Sequence, residues 1–64
     1  MRHKTLHMTL AQVESVASLA RQFDATDVEV STRGLGRGAV FVELLDEEGR
    51  TIASRIVTMD GEAD

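Results

Sequence analysis

Sixty-four residues with a net charge of −4, no cysteine and only two aromatic side chains, Phe23 and Phe41, narrow what this chain can be. The missing cysteine excludes disulfides and thiolate metal sites, and the acidic balance argues against nucleic-acid binding as the default, since such proteins carry a basic footprint. No apolar run approaches the roughly 20 residues of a membrane helix, so a cytoplasmic protein without membrane contact is expected.

The 42% hydrophobic and 28% charged content is that of a globular chain. Positions 1–64 are read as a single domain with an aliphatic core. A domain this small buries only about 60% of its unfolded surface. Small chains commonly add disulfides, a metal or a second subunit. Here a second subunit is the expected remedy. Six of the seven basic residues are Arg, a bias that coding composition or bidentate contacts would equally produce.

Residues 1–7 are polar and unpatterned and are expected to fray. Thr9 is a good helix cap, with Gln12 three residues on, as a capping box requires. Met8 and Val13 occupy the positions of a hydrophobic staple. From there Leu10, Val13, Val16, Ala17, Ala20 and Phe23 fall on one stripe at helical spacing, opposite Glu14, Ser15, Ser18, Arg21 and Gln22. The spacing predicts a helix over about 10–23, and residues 24–27 form a turn.

The period then changes from 3.6 to 2, giving strands over about 28–33, 38–45 and 51–59. The fold class is α+β: one N-terminal helix on a three-stranded antiparallel β-meander, in the order α-β-β-β. Three-residue hairpin loops favour Gly in their left-handed third position. Gly34-Leu35-Gly36 and Glu47-Glu48-Gly49 both fit that rule. Taken literally, they pair Arg33 with Arg37 and Asp46 with Arg50. Val30 then faces Val40, Val28 faces Val42, and on the other side Leu44 faces Ile52, Val42 faces Ser54 and Val40 faces Ile56. This register gathers the apolar members on one face, which a one-residue slip would scatter. Residues 60–64 form an acidic tail, expected to be disordered.

One helix covers one face of a sheet. The other face would carry Glu29, Ser31, Ala39, Phe41, Glu43, Leu45, Ala53, Arg55, Val57 and Met59. Phe41, Leu45, Val57 and Met59, with Arg55 beside them, form the candidate interface, an apolar patch of the kind that marks interaction surfaces. A homodimer is the expected use, twofold dimers being the commonest oligomers; another protein partner is the alternative occupant.

A second candidate is the hairpin Arg33-Gly34-Leu35-Gly36-Arg37-Gly38. Arg33 and Arg37 opposed across a tight turn would repel. An anion held between them, approached by the amides of Gly34 and Gly36, would relieve that repulsion; a solvated turn with the charges splayed apart is the plainer reading. The run joins two strands, so it is not the strand-to-helix dinucleotide fingerprint. The carboxylates of Asp46-Glu47-Glu48 and of Asp60, Glu62 and Asp64 lack calcium-loop spacing and read as solubilising charge. His3 and His7 have no third ligand near them, so no metal is expected.

No serine has a structured histidine partner, and no carboxylate is expected to be buried, so catalytic residues and cofactors are not expected. The reading is a small non-enzymatic interaction or regulatory module. Small acidic chains without motifs are frequent among accessory proteins of phages and mobile elements, a compositional analogy. Nucleic-acid or phosphate binding through the Arg/Gly hairpin and the sheet arginines is the alternative.

Overall fold

The helix begins where the cap chemistry places it. In the computed structural model, which describes residues 5–32 and 36–64, α1 (Leu10–Gln22) opens on an extended Thr9. Thr9 Oγ1 accepts from the Gln12 N–H at 3.1 Å, and Gln12 Oε1 accepts from the Thr9 N–H at 2.9 Å. Both halves of the capping box are therefore made. At the other end Asp24 takes a left-handed conformation (φ 60°). The Ala25 N–H reaches the Ala20 carbonyl at 2.8 Å and the Asp24 N–H the Arg21 carbonyl at 3.2 Å. That is the paired bonding of a Schellman cap, with Asp in the place Gly usually takes.

Three antiparallel strands follow: β1 (Asp27–Ser31), β2 (Val40–Leu45) and β3 (Thr51–Val57), in the spatial order β1-β2-β3. The α-β-β-β meander expected from the sequence is the fold. Its registers differ from the expected ones in two instructive ways.

Between β1 and β2 the pairing is displaced by two residues, so Val30 faces Val42 and Val28 faces Leu44. Arg33, Gly34 and Leu35 of the expected loop lie outside the described residues; the described part of the connection, 36–39, forms a turn. It is closed by the Ala39 N–H on the Gly36 carbonyl at 3.1 Å, with Arg37 (φ 52°) and Gly38 (φ 74°) both left-handed. Positive φ at both central residues is the type I′ pattern that suits strand twist. Because the displacement is an even number, Val28 and Val30 keep their expected face.

Between β2 and β3 the outcome is different. The loop at 46–50 forms as expected, with Gly49 at φ 83° and the Asp46 N–H on the Arg50 carbonyl at 2.9 Å. Leu45 pairs with Thr51, but a bulge follows and Leu44 pairs with Ala53 instead of Ile52. Beyond it Val42 faces Arg55 and Val40 faces Val57. One extra residue turns the remainder of β3 over. Ala53, Arg55 and Val57 therefore face the helix, and Ile56 faces away.

The core comprises Val40, Val42, Leu44 and Val57, all at 0% exposure, with Val16 and Leu19 from α1. Met8, Ala20, Phe23, Ala25, Val30 and Ala53 pack around them. Each fully buried Val or Leu contributes roughly 1.5–3 kcal/mol. The helix is rotated from its expected orientation: Leu10 is 78% exposed and Val13 48%, while Gln12 is buried at 1%. The expected staple is thus not the device that sets the entry angle, since Met8 packs on the core and Val13 stays outside. Gln12 sets it. Its Nε2 donates to the Gly38 carbonyl at 2.7 Å and the Val57 carbonyl at 3.1 Å.

The tail, expected to be disordered, turns back along the outer edge of β3. Val57 bridges Ala63, and Ile56 and Asp64 exchange N–H···O bonds at 3.2 and 2.8 Å. Thr58 and Glu62 close the turn at 2.9 Å. Backbone pairing along an open strand edge outweighs the tail's polar composition. Gly61 permits the turn: its φ is 88°, and a Cβ there would stand 2.8 Å from the Ala11 carbonyl oxygen.

Two predictions follow from these anchors. Gln12→Ala leaves the buried Val57 carbonyl, the part-buried Gly38 carbonyl and the Thr9 N–H without their partner and should lower stability by about 2 kcal/mol, at roughly 1 kcal/mol or more per buried unsatisfied group. Gln12→Glu keeps a residue favourable to capping boxes yet sets a carboxylate against two carbonyl oxygens, so at pH 7 it should cost more than alanine. Burial raises that carboxyl's folded pKa above its unfolded value of about 4.3. The deficit relative to wild type should therefore shrink as pH falls below that value and grow as pH rises through the folded pKa. Urea melts at pH 3.5 and 7 decide it; a Glu variant as stable as wild type at pH 7 would refute the anchor. In thermal melts Gly61→Ala should cost about 2 kcal/mol or more, combining backbone strain with the Ala11 clash. Gly49→Ala, where the added methyl meets nothing within 4 Å, should cost only about 1 kcal/mol.

Candidate protein-interaction surface

Alternation along β2 sends Phe41, Glu43 and Leu45 to the side opposite the helix. Strand pairing then fixes their neighbours. Phe41 lies between Ser31 and Ile56, Glu43 between Glu29 and Ser54, and Leu45 between Asp27 and Thr51. No described helix or strand covers these nine residues. Leu45 is buried and Phe41 and Ile56 are half-buried, so the middle of the face is apolar.

Among the described residues, the charge on this face has one sign. Asp27, Glu29 and Glu43 are the only ionisable ones among its described residues. Glu29 and Glu43 stand directly opposite each other, an arrangement that destabilises a strand pair.

Of the expected interface residues, Phe41 and Leu45 are on this face and the others are not. Val57 is in the core at 0% exposure. Arg55 lies on the helix side, its guanidinium carbon 5.0 Å from the centre of the Phe23 ring and its Nη1 donating to the Ser54 carbonyl at 2.6 Å. Burying apolar Val57 and stacking the Arg55 cation on an aromatic ring is what the bulge accomplishes. Met59 lies beyond the end of β3, 50% exposed. Its side chain lies over Gly38, where a Cβ would come within 2.7 Å of it. Its carbonyl accepts from Thr9 Oγ1 at 2.7 Å. Ile56 is the member that strand alternation alone did not reveal.

Of the expected anion site, Arg33 and Gly34 lie outside the described residues. Gly36 and Arg37 belong to the exposed type I′ turn. The carbonyl of the adjoining Gly38 is held by Gln12. Arg50, at the other end of the sheet, bonds Glu48 and lies 3.5 Å from Asp46. The described arginines of the sheet and its turns are thus dispersed: Arg37 and Arg50 at opposite ends, and Arg55 under the helix. Among the described residues no group of three or more His, Asp or Glu is placed to hold a metal ion. No described helix is long and apolar enough to cross a membrane.

No protein-family model matches the chain, and neither a curated protein nor a solved structure resembles it at a significant level.

The opposed carboxylates make a stability prediction. Glu43→Lys replaces a like-charge cross-strand pair by an opposite-charge one and should stabilise the fold by about 0.5 kcal/mol, raising the melting temperature by roughly 3 °C. Melts in low salt and in 1 M salt provide the check, because screening should remove most of the difference.

Proposed function

We propose that this chain is a small protein-interaction module whose uncovered sheet face docks a basic protein partner. The observation that carries this reading is the Glu29–Glu43 pair beside the Phe41–Ile56 pair. Two carboxylates held opposite each other cost stability when alone, and an arginine or lysine set between them offsets that cost. The neighbouring aromatic and aliphatic side chains supply the apolar anchor on which interface energy concentrates.

Charge also separates the possible occupants. A second copy packed on this face would bring Asp27, Glu29 and Glu43 against the same three carboxylates, which electrostatic complementarity disfavours. A basic surface meets no such repulsion. Its association would be fast at low salt and slowed by added salt.

The test compares wild type with two variants, Phe41→Glu and the double variant Glu29→Lys/Glu43→Lys, as immobilised baits in host extract with quantitative readout. Wild type should retain a protein with a basic surface, and both variants should lose at least nine-tenths of it. Retention unchanged by either variant overturns the reading. In parallel, wild type should sediment as a monomer at micromolar concentration. A dimer dissociated by Phe41→Glu would assign the face to self-association instead.

A further inference from the structure

The sheet has two outer edges, and the chain treats them differently. The edge of β3 is closed at its Val57 end by the returning tail. The edge of β1 has no strand beside it among the described residues. Its only protection within Asp27–Ser31 is the charge of Asp27 and Glu29: the strand contains no proline or lysine, and its pairing with β2 runs without a bulge.

The surface along this edge alternates in chemistry. On the helix side Val28 is 39% exposed and Val30 is half-buried. The helix lies over β2 and β3. Ala11 marks its flank toward the tail, against Gly61, so the opposite flank, with Val13 and Ala20, is turned toward β1. Val13 is 48% exposed. An uncharged apolar strip thus runs along one side of the β1 edge. On the other side stand Asp27 and Glu29, with Glu43 one strand further in.

We propose that the basic partner engages this edge as an added β-strand of about five residues, matching the length of β1, with apolar side chains alternating with lysine or arginine. The proposal rests on the acidic-face reading above and specifies the partner's conformation. A strand presents successive side chains to opposite faces. In such a segment the apolar residues would lie beside Val28, Val30 and Val13, and the cations beside Asp27 and Glu29. Cross-strand neighbours stand about 5 Å apart, close enough for both sets of contacts. Main-chain bonds to the edge supply affinity and the alternating side chains supply selectivity, as in other cases of strand addition.

The experiment uses the full chain, isotopically labelled, and two synthetic peptides of equal charge: acetyl-KVKVKVK-amide and acetyl-KGKGKGK-amide. Binding is followed by amide chemical shifts and amide hydrogen exchange. The valine peptide should bind at low salt and slow exchange at the outward amides of Asp27–Ser31 at least tenfold. The glycine peptide should bind at least tenfold more weakly. Glu29→Lys, an exposed change that leaves the fold intact, should weaken the valine peptide about tenfold, and Val28→Lys should do the same from the other side of the strand. Binding that shifts Glu43 and Ile56 without slowing β1 exchange overturns strand addition and leaves the acidic-face reading standing. Absence of binding by either peptide overturns both. Equal binding of the two peptides overturns the alternation. Concentration-dependent protection of β1 in the protein alone places a second copy on the edge and overturns the proposed occupant.

Discussion

A single carboxamide holds the layers of this protein in register. Gln12 is almost fully buried, yet its oxygen closes the cap of α1, and its nitrogen bridges the carbonyls of Gly38 and Val57. A buried amide is tolerated only when its donors and acceptor are satisfied. Here each bond ties a different element: the cap residue, the turn leading into β2, and the end of β3. The helix must enter with Gln12 facing the sheet, which rotates Leu10 and Val13 outward. The Val57 carbonyl must lie beneath the helix N-terminus, which requires β3 to arrive there in the bulged register. Thr9 extends the same anchor by donating its hydroxyl to Met59, just where the chain turns to form the tail.

The bulge settles which side chains the partner side of the sheet presents. Without it, Ile52 and Ile56 would lie under the helix, and Arg55, Val57 and Met59 would share the uncovered face. With it, Val57 enters the core, Arg55 is stacked on Phe23, and Ile56 joins Phe41. The uncovered face loses Arg55, and its described charged residues are all carboxylates. One inserted residue thereby makes the described part of a surface more acidic without altering the topology.

The element order, the cap at Thr9, the loop at 46–50 and the inner face of β2 were legible because each rests on local chemistry: side-chain capping, a left-handed glycine, and strict alternation of Val40, Val42 and Leu44. What could not be read has equally specific causes. Both faces of β3 spell apolar-polar-apolar, Ile52-Ser54-Ile56 and Ala53-Arg55-Val57, so periodicity carries no preference and the bulge decides. On α1, a polar residue occupies the centre of the buried stripe. Counting apolar side chains therefore favoured the flank through Leu10 and Val13 over the one through Gln12 and Leu19. The tail was obscured by its own composition, because its order comes from backbone pairing that charged side chains neither supply nor prevent. Of the candidate interface, Phe41 and Leu45 were legible from β2 alone, while every expectation that passed through β3 inherited its ambiguity.

The distribution of charge connects stability with selectivity. An open edge with valine at alternate positions is a hazard, because a second identical edge can pair with it. Closing one end of the sheet with the tail reduces that hazard at β3 alone. At β1 the protection is electrostatic: Asp27 and Glu29 flank the edge, Glu43 lies one strand away, and among the described residues of that face none is basic. Two copies approaching through this region bring like charges together. A strand carrying lysine or arginine meets the same carboxylates as attractive partners. The Glu29–Glu43 opposition therefore serves two purposes on the reading developed above. It lowers the stability of the free domain slightly, and it discriminates between the domain's own edge and a basic one, the repulsive element that specificity requires alongside attraction.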